Sequence, residues 1–356
     1  MGLSACIAVR METDGGKVSL AAHDADPHMK VKHAYFPAFD VFRGIGIVFV
    51  VLAHTPTRND ILAPIRPIGA LGVHMFFALS GFLITYRFVE EREQTGRIDL
   101  RAFYRCRVRR ILPPALIYLA VLAVLGPVTH LLPAKLDEIW ASLFFYRNLF
   151  QPHAPDGWYT GHFWSLSLEE QFYLFWPVVL VALRAHARAA AITIIASTVI
   201  WRIHVFSVDP SANIYRPDLL ADHLLWGCVV GLSWPAVLSI PARIRAAIGF
   251  AGIAAATVLI YQQPPFWQPL FAFLVAIGFI LSAEAAKGWA AKLKPLQKLG
   301  EASYDCYIWQ SLFLPLPFAA MALPFAQRVP WSYFLIAALT AASFWATFPR
   351  RRSRRS

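Results

Sequence analysis

Charge is what this sequence lacks first. Only 15% of its 356 residues are charged, while 58% are hydrophobic and the mean hydropathy is +0.50. That balance excludes an ordinary soluble domain. Cysteine is sparse too: Cys6, Cys106, Cys228 and Cys306 are scattered, with no CxxC or Cys/His ligand spacing. Neither a disulfide framework nor a metal site is expected. No internal repeat is visible, which weakens an inverted-repeat transporter reading. No polar stretch is long enough for a soluble domain of useful size. The first 36 residues lack the apolar core of a signal peptide.

Long apolar runs are what the sequence has in abundance. About ten recur, each near the ~20 residues that cross a bilayer. They cover roughly 37–56, 68–87, 111–131, 163–183, 189–207, 218–238, 246–262, 267–284, 302–323 and 331–348. In lipid such runs must be helical, because the backbone finds no other hydrogen-bond partner. The expected fold is all-α, a polytopic transmembrane bundle. Residues 1–36 read as a polar, disordered cytoplasmic segment, 37–348 as the membrane domain and 349–356 as a basic cytoplasmic tail.

With both termini cytoplasmic, 25 of the 33 Lys/Arg fall on the cytoplasmic side, Arg87 at its edge included. This is a strong positive-inside bias. It accounts for the net charge of +12 through the lipid bilayer as partner, with no nucleic acid required.

Polar groups inside apolar runs are costly and mark function. "RGIGIVFVVLAH" carries Arg43 and His54 eleven residues apart. That spacing is within ~20° of three full turns, so both share a face about 16 Å apart along the axis. Asp40 lies three residues before Arg43 and can pair with it. On spacing alone, an interfacial anchor and a packing histidine explain them equally well. "HFWSLSLEEQFYLFWP" sets His162, Ser165, Glu169 and Tyr173 in one stripe, with Glu170 beside it. Two carboxylates entering a span are hard to explain as a loop end. "FYRCRVRRILPP" crowds Arg105, Arg107, Arg109 and Arg110 together; Arg107 and Arg110 face one way. Guanidinium forks suit phosphate, but lipid headgroups explain this cluster as well. "RPDLLADHLLWG" puts Arg216, Asp218 and Asp222 at an outer mouth, and Ser303 of "LGEASYDCYIWQ" is a plausible helix N-cap.

Taken together, these segments resemble acyltransferase family 3, membrane O-acyltransferases that modify carbohydrates and similar acceptors. Arg43 to His54 matches the family's Arg-x10-His motif, and "FDVFRG" resembles its lead-in. "FYRCRVRRILP" matches a basic segment of the family, with Cys106 in place of its first Arg. "FWSLSLEEQFYL" is the most specific match. His74 stands where the family often has Asp, and Gln310 where it often has His.

The resemblance implies an enzyme of the bacterial cytoplasmic (inner) membrane. It would move an acyl group, by the family's habit acetyl, from cytoplasmic acyl-CoA to a hydroxyl of a carbohydrate such as a polysaccharide. Acyl-CoA would be donor substrate, with no tightly bound cofactor. Arg43, Arg107 and Arg110 would hold its phosphates. His54 would be general base, its ordinary pKa of ~6.5 suiting neutral pH. Glu169 or Glu170 would orient it. Trp164, Ser165 and Tyr173 are possible oxyanion donors; Asp40, Arg216 and Asp218 would support the site or the acceptor. Direct transfer and a covalent acyl-histidine route both fit. The competing function is a proton-coupled secondary transporter or exporter of a glycan or small metabolite, for which buried His and Glu would form the relay.

Overall fold

A computed structural model describes residues 35–55, 62–129, 134–150, 157–261 and 267–313. The second part of the expected ninth span (314–323), all of the tenth, the basic tail and nearly all of the first 36 residues lie outside the described residues. Within the described residues every regular element is helical. The long helices are α1 (Pro37–His54), α2 (Arg66–Thr95) and α3 (Leu100–Thr129). Shorter α4 (Leu136–Leu143) and α5 (Trp158–Gly161) lead to α6 (Phe163–Leu183) and α7 (Ala187–Val208). After α8 (Pro217–Leu232) and α9 (Trp234–Leu238) come α10 (Ala242–Leu259) and α11 (Gln268–Ala290). The last two among the described residues are α12 (Lys294–Glu301) and α13 (Ser303–Phe313).

Six described stretches are long and apolar enough to cross a membrane. They are Pro37–His54, Ala63–Thr95, Leu100–Pro127, Trp158–Val208, Ala242–Leu259 and Gln268–Ala290. The fourth has 51 residues, more than twice the ~20 of one crossing, and contains both α6 and α7. Arg184, at φ 41°, turns the chain between them. The expected 218–238 run divides instead: α8 is 16 residues long, and α9 begins anew with Pro235 in its first turn.

Residues 88–110, the basic stretch between the second and third apolar runs, are mostly helix. α2 ends on Gly96, whose φ of 74° is a left-handed cap conformation. Asp99 then accepts the Ala102 N–H at 2.9 Å and caps α3. The hairpin is therefore four residues long. Arg87 stands nine residues before Gly96 and Arg107 eight after Asp99, so helical rise brings them to a similar height, about 12–13 Å from the turn. The same folding makes the basic segment the first turns of α3 rather than a solvated loop.

Packing follows from small residues, since lipid gives apolar helices little drive to associate. A Cβ on Gly72 would lie 2.7 Å from the Gly46 carbonyl, so α1 and α2 touch backbone to backbone. They run antiparallel. α2 and α8 run parallel: His74 meets His223, Ala78 meets Gly227, and Phe82 meets Gly231, partners advancing together. Around these lies a buried layer that includes Phe39, Phe76, Phe82 and Phe163. One cysteine departs from expectation: Cys106 is disulfide-bonded. Spacing carries no information on pairing between distant segments.

Candidate active site

α1 is one unbroken helix from Pro37 to His54, so the expected shared face of Arg43 and His54 holds. Its two ends have different surroundings. At the first, Asp40 is 2% exposed and Arg43 1%. Arg43 Nη1 donates to Asp40 Oδ1 at 3.1 Å, and the Tyr35 hydroxyl donates to Oδ2 at 2.8 Å. Burial, then the Asp40 carboxylate, pushes the Tyr35 phenol up, which keeps it a donor. A Cβ on Gly300 would collide with the Asp40 carbonyl, so α12 is pressed directly against this turn of α1.

Arg43 nevertheless spends only part of its fork on Asp40. Its Nε and Nη2 are buried and make no hydrogen bond. Arg107 is buried as well, its guanidinium carbon 3.4 Å above the centre of the Tyr173 ring. That geometry is a cation–π contact, worth ~2 kcal/mol when desolvated. Arg107 Nε and Nη2 also lack hydrogen bonds. Between them, on α2, buried Arg87 lies within electrostatic range of Arg43, Arg107, Glu90 and Asp40. Arg110 is half-buried, within electrostatic range of Tyr304 on α13. Arg105 and Arg109 are exposed. Buried guanidinium N–H groups without acceptors are costly, and phosphate oxygens fit them well.

The paired carboxylates belong to this same end. Ser80 Oγ donates to Glu169 Oε1 at 3.1 Å, and half-buried Glu170 lies within electrostatic range of Arg107. At the other end of α1, His54 Nδ1 meets the Val50 carbonyl at 2.7 Å, one turn back on its own helix. A carbonyl only accepts, so in this contact Nδ1 carries the proton.

Rings and hydroxyls surround His54. Trp158 stands edge-on at 6.0 Å between ring centres, its indole N–H donating to the Ser311 carbonyl at 3.0 Å. One turn further on is buried His162, between the ring edges of Tyr118 and Tyr307. Ser165 Oγ and Tyr307 Oη are 2.6 Å apart, and both reach the His162 carbonyl. The stripe expected on α6 is thus a buried one, but its ends do different things. Ser165 serves the His54 end. Tyr173 lies beneath Arg107, ~16 Å further along the chain's helical axis than His162, too far to be an oxyanion donor beside that histidine. Trp164 packs on Tyr215 at 4.4 Å and on Phe77 at 5.8 Å.

Arg216 and Asp218 form a two-point ion pair at 3.1 and 2.6 Å, 38% and 39% exposed, joined by the Trp201 indole N–H. Asp222 is not at that mouth. It is fully buried and paired with Arg202 of α7. The sequence reading passed over Arg202, although an arginine inside an apolar run is itself a signal. It also missed the network of Arg147, Glu138 and Thr160, with bonds of 3.0, 3.2 and 3.1 Å, that braces α4 against α5. No local pattern announces that network. Ser303 does begin α13, yet its buried hydroxyl makes no capping bond.

The model of a family described as "Acyltransferase domain" matches residues 36–348. The chain is similar to an O-acetyltransferase OatA of Staphylococcus aureus, 26% identical over 307 residues, covering 77% of this chain and 50% of that protein. It is similar to a peptidoglycan O-acetyltransferase OatA of Listeria monocytogenes, 26% identical over 339 residues, 86% and 53% of the two chains. A putative peptidoglycan O-acetyltransferase YrhL of Bacillus subtilis is 27% identical over 320 residues, covering 79% and 49%. The chain therefore spans about half the length of the curated relatives it matches. No solved structure matches it.

Proposed function

This chain belongs to the acyltransferase family whose model matches residues 36–348, and on that premise we propose that it is a membrane O-acyltransferase. The donor is acyl-CoA, in the first instance acetyl-CoA. The acceptor is a hydroxyl of a carbohydrate, a reading favoured by the peptidoglycan O-acetyltransferases among its relatives. The protein sits in the bacterial cytoplasmic membrane with about ten crossings and both termini inside, which puts the Arg43 end of α1 on the side that supplies the donor.

One observation carries this reading. A single unbroken helix bears buried guanidinium N–H groups without acceptors at one end and, at the other, a histidine whose Nδ1 is tied to a carbonyl of its own helix. Arg43, Arg107 and Arg87 take the donor's phosphates, with Arg110 at the edge. The donor's extended arm covers the ~16 Å to His54. There His54 Nε2 accepts the acceptor's hydroxyl proton as its oxygen attacks the acyl carbonyl carbon. The tetrahedral adduct collapses, the C–S bond breaks, and the leaving thiolate takes the proton back from the imidazolium. The Ser165–Tyr307 hydroxyl pair is the donor set for the oxyanion. Glu169 and Glu170 balance the charge of the arginines rather than orient the base.

The test is direct. Purified protein is incubated with acetyl-CoA, with and without neutral glycans, and both CoA release and acetylated product are followed. Product formed with one CoA released per acetyl supports the proposal. Proton-driven glycan flux in vesicles with no CoA release overturns it and favours a secondary transporter.

A further inference from the structure

A second polar cluster lies apart from the groups assigned above, among α2, α7, α8 and α11. His74 and His223 stack with ring centres 4.2 Å apart and planes 33° from parallel. Phe271 closes over both, at 5.1 and 6.2 Å. Arg202 donates through Nε to the Leu219 carbonyl at 2.7 Å and through Nη2 to Asp222. His223 and Arg202 are 1% exposed, Asp222 0% and His74 9%.

This cluster is under-satisfied. His74 Nδ1, both ring nitrogens of His223, Arg202 Nη1 and Asp222 Oδ2 are buried with no hydrogen bond. A structural ion pair would not need two extra imidazoles, and a packing histidine would not need the ion pair. The mixture of atoms restricts what could fill it. Arg202 Nη1 only donates, Asp222 Oδ2 only accepts, and each neutral imidazole does one of each. An anion would serve the donors but face the Asp222 carboxylate. A cation would face Arg202. A hydroxyl both donates and accepts, carries no charge, and can lie against a ring such as Phe271. Asp218 precedes Asp222 by one turn of α8, and Trp201, which holds Asp218, neighbours Arg202 on α7. The half-exposed Arg216–Asp218 pair therefore stands about 6 Å along α8 from the buried Arg202–Asp222 pair, on the side that leads outward.

We infer that His74, His223, Arg202 and Asp222 form a binding site for a neutral, hydroxyl-bearing ligand entering past Arg216 and Asp218. In identifying that ligand as the sugar acceptor the inference rests on the acyl-transfer reading; the binding itself does not.

Full-length protein in lipid nanodiscs is titrated with a labelled neutral N-acetylglucosamine tetramer and with a uronic-acid tetramer. The site predicts binding of the neutral sugar and at least tenfold weaker binding of the acidic one. His74→Phe/His223→Phe keeps ring stacking but removes all four nitrogens, and should weaken the neutral sugar at least tenfold. Acetyl-CoA affinity and the unfolding temperature should stay as in wild type. If the double variant does not fold, His223→Phe alone is read, with the same direction expected. Sugar binding unchanged in a folded variant would mean that water alone occupies the cluster, and overturns the inference. Equal binding of the two sugars, or of neither at millimolar concentration, also overturns it. Failure of the acyl-transfer reading is seen separately, as acetyl-CoA giving no acetylated product while the neutral sugar still binds.

Discussion

At the Arg43 end of α1, guanidinium and carboxylate groups stand on long helices, and backbone meets backbone through Gly300. At the His54 end, rings and hydroxyls come from α5, the start of α6 and α13. The first end is suited to holding a charged group already present. The second is suited to chemistry in which charge appears briefly, the Ser165 and Tyr307 hydroxyl protons turning from the His162 carbonyl toward the developing oxyanion. Binding and reaction are thus separated along one helix, and substitutions at the two ends should fail in different ways.

The largest effect is expected at the reaction end. His54→Ala should lower transfer by ~10²–10⁴-fold while the protein still inserts and folds. Single-turnover acetyl transfer measures it, and full activity would erase the proposed difference between the ends. At the other end, Arg43→Ala strips Asp40 of its cation. Breaking a buried pair typically costs ~3–5 kcal/mol, so the variant should unfold much earlier in detergent. Adding Asp40→Asn should recover much of that stability without recovering donor affinity. If affinity returns too, Arg43 is only a brace.

Arg107→Gln should act more mildly, raising the donor KM roughly 10–100-fold by loss of ~1.5–3 kcal/mol of charged hydrogen bonds. Its kcat at saturating donor should stay within a few-fold. Tyr307→Phe should do the reverse, lowering kcat by about 2–10-fold with donor KM unchanged, since one neutral hydrogen bond is worth ~0.5–1.5 kcal/mol. The smallest effect on stability is expected for Arg216→Ala, at most ~1 kcal/mol, because its ion pair is more than a third exposed.

The sequence foretold α1 and the buried stripe of α6 because both depend on one helix and its 3.6-residue period. It also foretold the break near Arg184, where charge interrupts an apolar run. What it missed depends on contacts between distant segments. Arg87 looked like one more cytoplasmic charge until the short Gly96–Asp99 hairpin set it level with Arg107. Asp222 looked like a mouth residue because its partner, Arg202, lies on another helix. The proximity of Glu170 to Arg107, and the Ser80–Glu169 bond, follow from how α6 packs across α2 and α3, which no spacing within α6 reveals. The Val50 carbonyl, a backbone group one turn before His54, has no signature in side-chain identity at all.

The central claim, that α1 binds the donor at one end and reacts at the other, is tested most directly by equilibrium binding of labelled acetyl-CoA to two variants. His54→Ala should bind the donor as wild type does yet transfer ~10²–10⁴-fold more slowly. Arg107→Gln should bind it at least tenfold more weakly. Wild-type donor affinity in Arg107→Gln, or a loss of affinity in His54→Ala as large as that expected for Arg107→Gln, would contradict the claim.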